Sequence, residues 1–594
     1  MAATFDLDAE LAKGAETPRH EIRDTVARGG AAAELLGAGK AKIHPKITGQ
    51  IRRAAKMIDG GQPEQGARIL LKVLDAEPDL AVANQAMGLA LEKLGRLSRA
   101  LQFLERALKR DPGNADIYAA LGSIAMKLGL LPTAEKFHRT QLQLAPKSST
   151  AVTSLAAALR EQGKFGDAVE VLRAAIYADQ ENPDLWNALG TSVLESGDID
   201  QSITFYSEVL RLKPGYTRGH HNLARALELA GRVEDALPHY EASVEKALSE
   251  KDRILSTHAL AHSCLASGRI ARGWEIYGAR LNPHYDMATR YLLPGEPWDG
   301  ADPAELKGRT VLVMGEQGIG DEVLFANTLA DLVEAVGPEG EVRFACEQRL
   351  IPLFQRSFPG MKVGRHYTIE REGRQIRHAP DLWNENEVDL WTPIGNLCRA
   401  FRGSLDAFPQ RDSFLTPDPE RLDHWRSELG AMGSGPKIGV LWKSLKMDAR
   451  RSKGFSPFEL WKPVLKTPGI TLVNLQYGDS ATELADAKER FGVTIHQPEG
   501  IDLRNDLDDV AALSTACDLV IGPMNATTNI AAACGAEVWF MRVVMASWTL
   551  LGTQGMAWYP RTRTFAGEGY GDWIGAMKQV RTALEARIEG RDAA

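Results

Sequence analysis

Asp321 stands in the segment MGEQGIGDEVLFA, where Gly315, Gly318 and Gly320 are spaced GxxGxG directly after the apolar run RTVLVM (309–314). A carboxylate at the carboxyl end of a strand can take a proton from an attacking hydroxyl, and neighbouring glycines let a ligand approach the backbone. The spacing is not the GxGxxG of dinucleotide-binding turns, and an acid there can equally be a cap or first-turn acid of the following helix. A second segment, LWKSLKMDARRSKGF, puts Lys443, Lys446, Arg450, Arg451 and Lys453 after the run KIGVLW (437–442). Cations in such a turn suit a phosphate, although a solvated basic loop has the same composition. The third, DLVIGPMNATTNIAAACGAEVWF, sets Asn525, Thr527, Thr528 and Asn529 ahead of Ala531, Ala532 and Ala533. Hydroxyls and free N–H groups at a helix start can hold an anion, and plain capping accounts for the same residues. None of these segments demands a metal. DxD pairs at Asp6/Asp8, Asp198/Asp200 and Asp506/Asp508 fall in a tail, a repeat turn and a helix start, and are set aside.

Strands must carry these turns. Beyond residue 306 the runs RTVLVM, EVRFAC (341–346), VDLW (388–391), KIGVLW, ITLVNL (470–475), CDLVIG (517–522) and EVWFM (537–541) alternate with helical patterns. That rhythm predicts parallel sheets with helices on both faces. The stretch PERLDHWRSELGAMGSGP (419–436) divides the region into lobes of 306–420 and 421–594. Two doubly wound lobes facing each other place a cleft at the carboxyl ends of their strands.

The first half obeys a different rule. Gly61, Gly95, Gly129, Gly163, Gly197 and Gly231 are each 34 residues apart, and Ala100, Ala134, Ala168, Ser202 and Ala236 keep the same step. Apolar residues at helical spacing precede each glycine, which closes the helix, and the small residue lets the next helix pack close. Each helix pair exposes an apolar face that only a neighbour covers, so the units stack into a solenoid. The period predicts an all-α tetratricopeptide-type solenoid over 47–281, after an N-terminal helical or flexible segment at 1–46. Residues 282–305, rich in Pro, Gly and aromatic residues, read as a connector. Inward-facing positions of such a groove include Asn187, Thr191, His221 and Arg225; a solvated helix face is the plainer reading of each. His220 and His221 lack further ligands spaced to complete a metal site.

Composition agrees with a two-part globular protein. The 594 residues exceed one hydrophobic core, and 44% hydrophobic with 25% charged residues is ordinary. A net charge of -8 does not suggest a nucleic-acid binder. No run nears the roughly 18 apolar residues of a membrane span, and the acidic start MAATFDLDAELAKG argues against a secretory signal. Five scattered cysteines, Cys264, Cys346, Cys398, Cys517 and Cys534, predict buried thiols in a reducing compartment, so a soluble cytoplasmic protein is expected.

GEQGIGDEVLFANTLADL, KIGVLWKSL, DDVAALSTACDLVIGPMNATTNIAAACGAEVWF and WYPRTRTF together resemble the heptosyltransferase-like GT-B family. With the repeats, the chain resembles its alphaproteobacterial TPR-linked flagellin glycosyltransferases. The resemblance implies an acceptor lobe at 306–420 and a donor nucleotide-sugar lobe at 421–594. It implies transfer of a nonulosonic acid such as pseudaminic acid, from its CMP-activated form, to Ser/Thr of flagellin held by the repeat groove. The family's acid in the GD turn corresponds to Asp321, an implied catalytic base. Gly318, Gly320, Lys443, Arg450, Arg451, Asn525, Thr527, Thr528 and Asn529 would hold the donor, with no metal and no cofactor. Where the family carries D-T-x-x-x-H, this chain has Met524, Asn525 and Asn529 in place of the Asp, Thr and His. That departure is compatible with a nucleoside monophosphate donor, or with a weakened enzyme. The constellation fits glycosyl transfer and fits hydride transfer poorly. The rival from another class is a non-catalytic adaptor or export chaperone with a degenerate transferase fold; a transferase acting on lipid or saccharide is a third.

Overall fold

The computed structural model describes residues 44–371, 374–383, 387–445, 454–544 and 546–590. Lys446, Arg450, Arg451 and Lys453 of the basic segment lie outside the described residues. The chain divides into two compact units, Met1–Pro214 and Gly215–Ala594.

The described part of the first unit is a run of antiparallel helix pairs. They are α1 (Pro45–Asp59) with α2 (Pro63–Ala76), α3 (Ala81–Lys93) with α4 (Leu97–Arg110), and α5 (Ala115–Lys127) with α6 (Leu131–Leu144). Then come α7 (Ser149–Glu161) with α8 (Phe165–Ala178), and α9 (Pro183–Ser196) with α10 (Ile199–Leu212). The periodic glycines between paired helices all have positive φ, from 71° at Gly129 to 109° at Gly197, a region where any Cβ is strained. Ala100, Ala134, Ala168 and Ser202 are fully buried, as close helix packing requires. Gly190 in α9 lies against the Tyr206 ring, and a Cβ there would sit 2.7 Å from it. Gly190→Ala should therefore cost about 1–3 kcal/mol by overpacking. Urea unfolding is the check, and a midpoint equal to wild type would mean that Tyr206 can move aside.

The second unit begins with two more pairs, α11 (Thr217–Leu229) with α12 (Val233–Glu245) and α13 (Glu250–Ala266) with α14 (Ile270–Tyr277). Here the observed division departs from the sequence reading, which places the boundary at 281/282. The reason is packing. Trp274 of α14 meets Phe325, Trp548 and Trp558 edge to face, with ring centroids 6.2–6.4 Å apart. Gly268 abuts Gly552 so closely that a Cβ on Gly552 would lie 2.6 Å from the Gly268 nitrogen. The last repeats thus share one core with the sheets that follow. Nor is 282–305 a simple connector, since β1 (Arg290–Tyr291) and β2 (Glu296–Pro297) each join a sheet.

Two parallel sheets carry the rest. The first, in order β2-β8-β3-β4-β5, contains β3 (Thr310–Met314), β4 (Glu341–Cys346), β5 (Lys362–Arg365) and β8 (Leu390–Pro393). A hairpin of β6 (Tyr367–Arg371) and β7 (Arg374–His378) pairs with β1 in a small third sheet. The second large sheet runs β11-β10-β9-β12-β13-β14, from β9 (Lys437–Val440), β10 (Thr471–Asn474), β11 (Ile495–His496), β12 (Leu519–Pro523), β13 (Val538–Met541) and β14 (Thr562–Phe565). Strand order reverses between β9 and β12, and in the first sheet between β3 and β8. In open parallel sheets the ligand crevice lies outside the carboxyl ends at such a reversal. The helix Pro419–Ala431 is docked on the second lobe, where Trp425 donates to Asp509 at 2.7 Å. Among the described residues no helix is long and apolar enough to cross a membrane.

Candidate functional site

The turn after β3 is built on two buried acids, and neither is Asp321. Glu316 receives both arms of Arg280, at 2.6 and 3.0 Å, and the Gly395 N–H at 2.7 Å. Glu322 lies 2.8 Å from His366 Nε2 and accepts the Glu347 N–H at 2.8 Å. Gln317 adopts a left-handed φ of 61°, and its amide donates to Tyr277 Oη at 2.8 Å. These bonds hold the turn rigid. Asp321, in the helix Ile319–Phe325, accepts the Gly318 N–H at 3.2 Å, and among the described residues no cation is paired with it. Its carboxyl is partly accessible but closely surrounded. Desolvation pushes its pKa up to about 6, and the Glu316 and Glu322 charges push the same way. The capping reading and the base reading therefore meet in one group.

The helix bearing Asp321 meets the helix Ala526–Ala533, which follows β12. A Cβ on Gly320 would stand 3.3 Å from Asn529 Nδ2 and 3.5 Å from the Ala526 nitrogen, so glycine permits this approach. Two of the three sequence segments are thus brought together where these helices pack. Asn525 caps the second helix by accepting from the Thr528 N–H at 3.3 Å, while Thr528 Oγ1 donates to Pro523 O at 2.8 Å. Asn529 donates to Asn525 O and accepts from Tyr559 Oη, both at 2.8 Å. Burial raises the Tyr559 pKa, and the Asp321 charge adds to it. Thr527 is buried. Thr528 and Asn529 hold the turn; Asn525 keeps a buried Nδ2 with no acceptor among the described residues.

Lys443 follows β9 as expected, but its ammonium is paired with Glu483. A cation already neutralised is a weaker phosphate ligand than the sequence suggests. Two features lie beyond the sequence reading. Arg542 follows β13 at the same edge of the sheet, and its signal was a lone cation directly after an apolar strand. Aromatic rings from the last repeat, from the segment after it and from the loop after β13 also gather beside the Asp321 turn. His262 stacks on Trp548 at 5.6 Å, and His258 lies 4.9–6.0 Å from Tyr285 and Tyr277. Burial first, then nearby positive charge, lowers the pKa values of His258 and His262 to about 4 and 3, so both are neutral.

The groove candidates divide. In the first unit Thr191 donates to Asn187 O at 2.9 Å and accepts from Tyr206 Oη at 3.0 Å, an internal brace. In the second unit His221 lies 3.1 Å from Ser256 Oγ, and burial drops its pKa to about 4, while Arg225 is exposed. All five cysteines are free and buried. Among the described residues no group of three or more His, Cys, Asp or Glu is placed to hold a metal ion.

Comparison with known proteins agrees with the repeats and reaches further. Tetratricopeptide-repeat models match residues 57–124, 91–141, 153–217 and 220–254. The thermophilic repeat protein TTC0263 of Thermus thermophilus is 25% identical with a TM-score of 0.27, covering 30% of this chain and 98% of that one. A peroxisomal targeting signal receptor of Kluyveromyces lactis is 33% identical over 61 residues, 10% of this chain and 11% of the receptor. Protein FlbA of Caulobacter vibrioides is 43% identical over 566 residues, 95% of this chain and 94% of FlbA, a match long enough to span both the repeats and the region of the two sheets. On that full-length match, the chain belongs to the FlbA family.

Proposed function

We propose that the chain is a metal-independent protein O-glycosyltransferase of GT-B type, which moves a sugar from a nucleotide donor to Ser or Thr of flagellin. The observation that carries the reading is Asp321: an acid with no cation partner among the described residues, at the carboxyl edge of one parallel sheet, beside the polar helix start of the other. In the reaction the acceptor oxygen bonds to the anomeric carbon as the bond from that carbon to the phosphate oxygen breaks. The electron pair leaves on the phosphate, and the hydroxyl proton passes to Asp321. With a pKa of about 6, Asp321 is ionised at neutral pH yet more basic than an ordinary carboxylate. Tetratricopeptide arrays generally bind polypeptides, which suits a protein acceptor. The sugar in this reading is a nonulosonic acid such as pseudaminic acid carried on CMP, in keeping with Met524, Asn525 and Asn529.

Intact mass of flagellin after incubation with the purified chain and the CMP-sugar tests this, with gain of whole sugar masses expected. The apparent kcat/KM should rise about tenfold per pH unit up to about 6 and then level, because the base acts only when deprotonated. A flat profile from pH 5 to 7.5 would remove Asp321 as the base. One observation favours the adaptor reading instead, the Lys443–Glu483 pair that leaves this cation neutralised. Binding of flagellin with neither mass gain nor donor hydrolysis would decide for it.

A further inference from the structure

The chemistry above leaves Arg542 unused. It stands one residue past Met541, which pairs in register with Pro523 of β12. Arg542 is therefore beside Met524 and close in sequence register to Asn525. Enclosure by protein lowers its pKa to about 10, and among the described residues no acid counters that shift. A guanidinium so enclosed ordinarily faces a carboxylate. Here its Nη1 reaches Thr549 Oγ1 at 3.2 Å and the Met524 sulfur at 3.6 Å, both uncharged, and its buried Nε has no acceptor among the described residues. The buried Nδ2 of Asn525 has none either, since only the Oδ1 of that side chain is engaged, by Thr528. Two donors without acceptors, one of them a full cation, stand at the ends of adjacent parallel strands. What they lack is an anion with several oxygens.

We propose that Arg542 and the Asn525 carboxamide form the seat of one phosphate-sized anion at the carboxyl ends of β12 and β13. The seat stands on the two unpaired donors; naming its occupant as the leaving phosphate of the donor rests on the transferase reading. Met524 keeps the seat open, because a carboxylate in place of its sulfur would pair with Arg542 instead.

Calorimetric titration of the full chain with CMP, and separately with inorganic phosphate, reads the seat. Both are expected to bind. Arg542→Met and Asn525→Asp should each weaken binding roughly ten- to hundred-fold, the loss of one charge-assisted bond. Asn525→Asp keeps an oxygen to cap Thr528 and so preserves the fold, while replacing the donor with a negative charge. It therefore remains informative if Arg542→Met does not fold. CMP binding undiminished in Asn525→Asp overturns the seat and leaves the donor reading standing. Phosphate binding lost in that variant, with no CMP binding in wild type, supports the seat and removes the donor reading. Wild-type protein that binds neither overturns both.

Discussion

Asp321→Asn is expected to lower the transfer rate by about 10²–10⁴-fold while raising the melting temperature at pH 7. The two effects share a cause. Desolvation lifts the folded-state pKa from 3.8 to about 6, so ionising Asp321 in the folded protein works against stability. Well below pH 3.8 the group is protonated whether the chain is folded or not, and costs nothing. As pH rises from 3.8 to about 6 the cost develops, and above that it is complete, to an upper bound of about 3 kcal/mol and less where solvent screens it. Asparagine keeps an oxygen for the Gly318 N–H but never ionises. Calorimetry at pH 4 and pH 7 should find the variant's advantage small at pH 4 and near its maximum at pH 7. Wild-type turnover in the variant would end the assignment of the base, whatever its stability.

A fragment starting at residue 300 should fail to fold, whereas one spanning 215–594 should fold by itself. The shorter piece lacks Trp274, whose ring is 2% exposed in the intact unit, and leaves a hole among Phe325, Trp548 and Trp558. It also strips Glu316 of Arg280, leaving a carboxylate that is 4% exposed without its counter-ion. Breaking a buried pair from one side costs about 3–5 kcal/mol, and emptying a tryptophan site costs a similar amount. Together these approach the whole stability of an ordinary domain. Arg280→Met is the point version and should lower the unfolding free energy by about 3–5 kcal/mol in urea. Equal unfolding midpoints for the 215–594 and 300–594 fragments would mean that the seam contributes nothing.

The repeats were legible because a 34-residue step leaves its mark on glycine and small-residue positions alike. The buried strands were legible too, since parallel strands covered on both faces read as unbroken apolar runs. KVGR, YTIER, RQIRH and TRTF were not, because these strands carry polar side chains and lie at or near sheet edges. Asp321 could be picked out, but its surroundings could not. Arg280 lies 36 residues from Glu316, in a segment that reads as a repeat. The Lys443–Glu483 pair spans 40 residues and two elements, so no local pattern announces that the lysine is neutralised. Local spacing places a side chain at a strand end; it does not say which distant charge will meet it.

The placement of the seam also bears on inheritance. Within Pro45–Leu212 the helix pairs recur at a 34-residue step and stack neighbour on neighbour, so a duplicated or deleted copy can be accommodated without a new kind of interface. The last pair and the turn after it carry Trp274, Tyr277 and Arg280, whose partners occur once each, and an extra copy there would find nothing to pack on. Copy number is free to drift at the amino-terminal side and frozen at the other. Length differences among family members should accordingly fall before Gly215, in steps of 34.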